Sequence, residues 1–594
     1  MTHHTSMQKY QYTHTSTEAT TGYFSCEPYP RPGLEEALQY MVRHPLDSFM
    51  RRYLLSRLID ISLAEIQSVF EFAFPPGNMP LPARALLEEI ALLRGENLPF
   101  EEACPSGSDE DTTYPRSSLI FLRWKNLPDR ELQEPWRALF RENIRQHRTL
   151  PEPQKCGLPP LYPMHEDALS DALRRLPGLS GTFMTPFSVH ISTVFSRYCK
   201  LPDTAYPVKE RPEASETAEL AEQRLRSLGI LAGAEMRHTA SLSPIALLRP
   251  WNMELRLRQG RHDIRLQGQA TTYGRGLALA DARASCLMEM VERASSYLSI
   301  KEDRILNLRE RNTLQGGSRS HVLESFGRAV DPADFPSEIS YNDEDLCWMR
   351  GVQADGSDIL VPVQMAGLFC NLDEVDLSDA PGSTGIATGN TLDEAKLAAL
   401  LEVIERDAEA TTPFAKSGCF ALEADSTKDP LMARLLEDYR ARGINVQFQD
   451  LTGPLGVPVF QCFVMSPKGV ISRGYGAGLS SRRAIISALT ETPFPYPDGG
   501  PSGPMLRKLP VRQLHELPEY SLASTAATVA MLEELLTRNG RMPAYVDLTR
   551  DGLDFPVVRA LVPGMEPGSD SDGFSHVPWR LYHNYLSLFD ERRE

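Results

Sequence analysis

Two segments carry the same three charged side chains at the same spacing. SCLMEMVER holds Glu289, Glu292 and Arg293, and AALLEVIER holds Glu402, Glu405 and Arg406, 113 residues further on. On a helix turning about 100° per residue, Ser285, Glu289 and Glu292 fall within roughly 60° of one another, and Glu394, Glu402 and Glu405 within roughly 80°. Each segment therefore presents a ridge of carboxylates. Two such ridges facing one cleft repel unless a cation lies between them. Carboxylate and phosphate oxygens are the ligands that hard divalent ions take, so Mg2+ is the ion this pattern points to.

The residues ahead of each ridge suit an anion. YGRG, residues 273–276, leads into the first segment, and GSTGIATGN, residues 382–390, leads into the second. Glycines there let backbone N–H groups approach a phosphate near a helix start, and Arg275, Arg293 and Arg406 add charge-assisted contacts to its oxygens. Neither stretch has the spacing of a Walker loop. Thr391-Leu-Asp-Glu394 also reads as a capping box, which would employ Glu394 at its own helix start. Apolar Leu287, Met288, Val291, Leu400, Leu401 and Ile404 flank the glutamates, so both helices are partly buried and their carboxylates need partners.

These side chains have to be positioned by strands and helices that the rest of the sequence spells out. A partial third copy, AIISALTE at 484–491, keeps the alanines, the leucine and one glutamate before breaking into TPFPYP. The core is therefore expected to be internally pseudo-symmetric. TAELAEQRLRSLGI is helical and ends at a glycine, and MELRLRQGRHDIRLQGQA alternates like a hairpin. GVPVFQCFVMS, GVISRGYGAG, PAYVDLT and DFPVVRALVPG read as strands. The fold class is α+β, with mixed sheets and packed helices, preceded by a mainly helical region. That region spans 1–150, with a polar leader expected to fray and a loop at PSGSDEDT, residues 105–112. Residues 151–214 are a proline-rich linker with a helical segment, and 215–590 form the larger domain.

Length and composition set the outer bounds. At 594 residues the chain exceeds one ordinary core, which predicts two or three domains. With 41% hydrophobic and 24% charged residues it is a folded chain and not a disordered one. No apolar run reaches the roughly 18 residues of a membrane span, and the start lacks the apolar block of a secretion signal, so a cytoplasmic protein without membrane contact is expected. Nine cysteines without a C-x-x-C pair predict reduced thiols. A formal charge of −17 argues against a nucleic acid partner.

Taken in order, S-x-x-x-E-x-x-E-R after a glycine-basic-glycine turn, G-N-x-x-x-E with E-x-x-E-R following, a GYGAG strand end leading to ALTE, and DLTRDGLDFPVVRALVPGMEP together resemble the YcaO family. The likeness runs from about residue 215 to 580. It implies an ATP site in which Ser285 and Asn390 contact the nucleotide, Glu289, Glu292, Glu394, Glu402 and Glu405 hold Mg2+, and Arg406 meets phosphate. It further implies ATP-dependent phosphorylation of a peptide or protein backbone amide, followed by thioamide or azoline formation. The chain ends in LYHNYLSLFDERRE and not in a proline-rich tail, which favours the thioamide. A TfuA-like or sulfur-delivering partner is then expected, along with a homodimer. Ser487 and the proline-rich stretch after Glu491 depart from the family's third segment. They favour an alternative: an accessory or scaffold protein of the ribosomal-protein methylthiotransferase type. No residue is assigned as a catalytic nucleophile, since the chemistry requires none.

Overall fold

The strict alternation of IALLRPWNMELRLRQ and HDIRLQGQATTYGRG builds the longest hairpin of the chain, with β4 (Ile245–Gln259) and β5 (His262–Gly276) paired antiparallel over their full length. Trp251, Met253, Leu255 and Leu257 point to the core while their neighbours face out, the period-two burial of a half-covered sheet. This computed structural model describes residues 7–15, 23–74, 79–96, 130–162, 181–202, 204–310, 312–335, 341–378, 382–568 and 575–590. The expected loop at 105–112 lies outside them.

The polar leader contributes to this sheet. β1 (Gln8–Thr15) runs parallel to β5, pairing Tyr10 with Leu266, and β2 (Tyr23–Pro28) extends the edge antiparallel to β1. The expectation of fraying there is corrected for a simple reason. QKYQYTHT alternates, and its tyrosines Tyr10 and Tyr12 are buried, so the segment reads as a strand once a partner sheet is available. β3 (Met236–Arg237), β6 (Ile300–Lys301) and β7 (Arg304–Ile305) complete the seven strands.

Four amphipathic helices of the N-terminal region follow: α1 (Leu34–Arg43), α2 (Ser48–Leu58), α3 (Leu63–Ala73) and α4 (Leu81–Arg94). Their buried faces share one hydrophobic core with the β4–β5 hairpin. Buried Asp47 caps α2 and accepts hydrogen bonds from Tyr10, Tyr40 and Asn371, which ties this layer to the loop at 371. α5 (Arg130–Gln146) and α6 (Ile191–Tyr198) precede α7 (Ala214–Ser227), whose end at Gly229, φ +67°, follows the sequence reading.

Two further sheets surround the repeated helices. The second holds β8 (Gln315–Gly317), β9 (Leu346–Gln353), β10 (Asp358–Pro362) and β11 (Ile386–Thr388). The third contains β12 (Cys419–Glu423), β13 (Gln447–Asp450), β14 (Val459–Met465), β15 (Ile471–Ala477) and β16 (Val511–Gln513). The chain then returns to the second sheet through β17 (Ala544–Asp547), which pairs with β9, and β18 (Val557–Leu561), which lies between β17 and β11. The repeats form α8 (Leu279–Ser296), α9 (Leu392–Thr411) and α10 (Ser481–Glu491). α11 (Thr525–Arg538) packs on α9 in the second core. α12 (Trp579–Asp590) and α5 form an aromatic cluster around Trp136, Phe140, Tyr582 and Tyr585. The described cysteines are free thiols. Among the described residues no helix is long and apolar enough to cross a membrane.

Candidate functional site

Each repeated helix follows a strand and lies back against it. β5 leads to α8, β11 to α9 and β15 to α10, the pseudo-symmetry foreseen from the sequence. Glycine makes the close approach possible each time. A Cβ at Gly274 would meet Ala282 O at 2.1 Å, one at Gly389 would meet Ala395 N at 2.5 Å, and one at Gly476 would meet Ala484 O at 2.2 Å.

The close seating lets helix carboxylates reach strand-end amides. Glu289 accepts from Tyr273 N at 3.0 Å, Glu402 from Gly385 N at 3.2 Å, and Glu405 from Ala477 N at 2.9 Å. Arg293 lies 3.8 Å from Glu289 and 3.5 Å from Glu292. Arg406 lies 3.5 Å from Glu405 and donates to Glu409 at 2.8 Å. Arg275, from the end of β5, approaches Glu491 at 3.8 Å. The two ridges and the end of α10 thus meet.

The electrostatics follow from crowding like charges away from water. Burial, together with Glu402 and Glu289, pushes the Glu292 carboxyl up to about 8. Glu405 is likewise pushed up to about 8, by burial and then by Glu491. Burial raises Glu289 and Glu402 as well, with the arginines opposing these shifts. Six carboxylates, counting Glu409 and Glu491, are balanced by Arg275, Arg293, Arg406 and Arg559. The raised Glu292 and Glu405 carboxyls hold their protons near neutral pH, so the site sets guanidinium groups among acids that are only partly ionised.

Asn390 and Glu394 lie at the other end of α9. Thr391 accepts from Glu394 N, Glu394 accepts from Asn390 N at 3.0 Å, and Arg211 lies 3.5 Å away, so the capping role is engaged. Eight residues separate Glu394 from Glu402, about 12 Å along the axis. Asn390 also accepts from Thr217 of α7 at 3.1 Å. Ser285 is exposed on α8, one turn ahead of Glu289.

Two members of the site escaped the sequence reading. Glu491 is the glutamate retained in the third copy, and that retention was its signal. Arg559 is a single charge in the apolar strand VVRAL, and a charge in such a strand has to find a partner. Burial drives its guanidinium down to about 10, with Glu402 and Glu292 opposing.

Residues 273–493 match the family model described as YcaO cyclodehydratase, ATP- and Mg2+-binding. This segment is a YcaO domain. It contains all ten residues singled out in the sequence, and Arg559 lies beyond it. An uncharacterized protein of Methanothermobacter thermautotrophicus is 26% identical over 396 residues, covering 61% of this chain and 95% of its own. An uncharacterized protein encoded in the tfuA 3' region of Rhizobium leguminosarum bv. trifolii is 28% identical over 170 residues, 26% of this chain and 40% of that relative. Among solved structures, a heterocyclase in complex with substrate and cofactor aligns with a TM-score of 0.48 at 17% identity, covering 65% of this chain and 57% of that one. YcaO from Methanopyrus kandleri bound with AMPPCP and Mg2+ aligns with a TM-score of 0.42 at 21% identity, covering 61% and 93%.

The donor set of the YcaO domain fits ATP with Mg2+. Among the described residues no three carboxylates converge closely enough to hold an ion by themselves. Mg2+ usually keeps several waters and binds through one or two carboxylates plus phosphate oxygens. Paired glutamates facing unpaired guanidinium donors supply that arrangement once a phosphate is present. Arg275 Nε is buried without a partner, a donor suited to an anionic oxygen.

Proposed function

We propose that this chain binds ATP with Mg2+ where α8, α9 and α10 meet and uses it to activate a backbone amide oxygen of a peptide or protein. The observation that supports this most strongly is the gathering of glutamates and arginines by three like strand–helix units. In this reading Glu289, Glu292, Glu402 and Glu405 hold the ion, one or two of them directly and the rest through its waters, and Glu394, about 12 Å along α9 from Glu402 and engaged in the helix cap, would serve a second ion at the Asn390 end. Ser285 and Asn390 hold the nucleotide, and Arg275 and Arg406 hold phosphate oxygens.

ATP with its ion supplies a phosphoryl group and neutralises its charge. The protein's share is positioning and charge stabilisation. The amide oxygen would take the terminal phosphoryl group as its bond to the departing ADP breaks. A sulfur nucleophile then bonds to the amide carbon, and the C–O bond breaks to release phosphate. The guanidinium groups of Arg275 and Arg406, already fixed beside carboxylates, need no reorganisation to meet the developing charge. No covalent protein intermediate is involved.

Thioamide formation is favoured over azoline formation. The relative encoded beside tfuA supports a TfuA-like partner that delivers sulfur. The early end of α10 at Glu491 favours the second reading, an accessory protein without amide chemistry.

Calorimetric titration of the full chain with AMPPCP, with and without Mg2+, tests the first reading. Binding is expected to require Mg2+ and to weaken at least roughly tenfold in Glu405→Gln, the scale of losing a metal-site interaction. A folded wild-type chain that binds no nucleotide would overturn it. Binding without ATP turnover in the presence of a TfuA-like partner and peptide would put the accessory reading first.

A further inference from the structure

The arginines of the site are not equivalent. Arg275, Arg293 and Arg406 each stand within 4 Å of a carboxylate, at 3.8 Å from Glu491, 3.5 Å from Glu292 and 2.8 Å from Glu409. Among the described residues Arg559 has no carboxylate within that distance, although its charge is felt by both Glu292 and Glu402. Its Nη1 donates to Gly382 O at 2.7 Å, which fixes the guanidinium plane, while its Nε is buried and unpartnered.

The fold holds this side chain in place. β18 pairs with β11, and Arg559 stands opposite Ile386, four residues before Asn390. The turn at Gly382–Gly385 is held on the same side by Glu402, which accepts from Gly385 N, and by Thr384 Oγ1, which donates to Pro567 O. Arg559 is therefore a cation on paired strand backbone whose charge reaches two helix carboxylates without touching either, with a donor left over. Keeping a buried guanidinium donor unpaired costs free energy that an anionic oxygen would recover.

We infer that Arg559 is the fourth arginine of the site and binds the polyphosphate of the nucleotide, meeting an anionic oxygen from the β18 side. This rests on the nucleotide reading above and extends it to a residue outside the matched YcaO segment. Its planar fork suits a phosphate better than a lysine ammonium would. The assignment also explains the charge in an otherwise apolar strand, FPVVRALV, which has no bearing on sheet formation.

The test is calorimetric binding of AMPPCP with Mg2+, and of AMP, to full-length wild type, Arg559→Met and Arg559→Lys, with a thermal melt of each. AMPPCP affinity is expected to fall roughly tenfold to a hundredfold in Arg559→Met, the range for loss of a hydrogen bond to a charged group. The loss in Arg559→Lys should be smaller, AMP affinity should change far less, and the melts should stay close to wild type. Unchanged AMPPCP affinity in Arg559→Met would overturn the inference while leaving the nucleotide reading intact. An equal loss for AMP and AMPPCP would overturn it too, by assigning Arg559 to support of the Gly382 turn. If wild type binds neither ligand, the nucleotide reading itself fails. Should Arg559→Met not fold, the same comparison in Arg559→Lys decides.

Discussion

Glu374 is buried, accepting from Cys347 N at 2.5 Å and from Gln364 Nε2 at 2.8 Å. Burial outweighs these two donors and pushes its carboxyl up to about 7. The folded state thus holds this proton more tightly than the unfolded chain, whose glutamates titrate near their ordinary value of about 4.3. Stability from this residue is full below that value and falls as pH rises through about 7. Denaturant unfolding at pH 5 and pH 8 should show wild type losing more stability than Glu374→Gln across that interval. Parallel losses would rule the assignment out. Glu374 was invisible in the sequence because its character comes wholly from what encloses it. Glu289, Glu292, Glu402 and Glu405 were legible because a repeat marks them against the many exposed glutamates. Glu491 and Arg559 fell between: each carried a trace, a retained residue or a misplaced charge, that acquires meaning only when α10 brings Glu491 to Arg275 and β18 enters the second sheet with Arg559.

Helices and strands were legible from periodicity, and α8, α9, α10 and the β4–β5 hairpin all lie where alternation and three- to four-residue steps put them. What periodicity does not carry is the distance between a helix and its strand. The glycines set it, and two of them, Gly274 and Gly389, looked in the sequence like phosphate-loop candidates. Gly476 shows the difference. An added Cβ would meet Ala484 O at 2.2 Å and Ala488 N at 2.6 Å, both backbone atoms that cannot turn aside. Gly476→Ala should therefore push α10 off β15, cost about 3 kcal/mol as an overpacked contact, and carry Glu491 away from Arg275. Gly500→Ala, where nothing lies within 4 Å, is the neutral control. Thermal melts of the two variants, with AMPPCP affinity alongside, give the comparison. A Gly476→Ala protein as stable and as tight-binding as the control would mean that the seating of α10 does not set the site.

At the scale of the whole molecule, the sequence suggests a boundary near residue 214 and the packing crosses it. Leu38, Phe49, Leu54 and Phe70 from the N-terminal helices share a core with Trp251, Leu255, Leu266, Leu287 and Val291. β1 is a strand of the same sheet as β5. A composition shift marks where the grammar of a chain changes, but not where its apolar surfaces end, so the shared core could not be read beforehand. Asp47 concentrates the consequence in one residue. Its fully buried carboxylate accepts from two α2 amides, from Tyr10, from Tyr40 and from Asn371. Asp47→Ala would remove a helix cap worth about 1 kcal/mol and strand several buried donors at about 1–3 kcal/mol each. Wild type should unfold in one cooperative transition by both far-ultraviolet circular dichroism and tyrosine fluorescence. Asp47→Ala should lower that transition for both probes together, because the N-terminal layer and the β4–β5 sheet form one unit. A fragment beginning at residue 215 would expose the uncovered side of that core and should bind a hydrophobic dye and aggregate. If the fragment instead melts cooperatively at the wild-type temperature, the layer is a separable cover, and Asp47 will have split the unfolding into two steps.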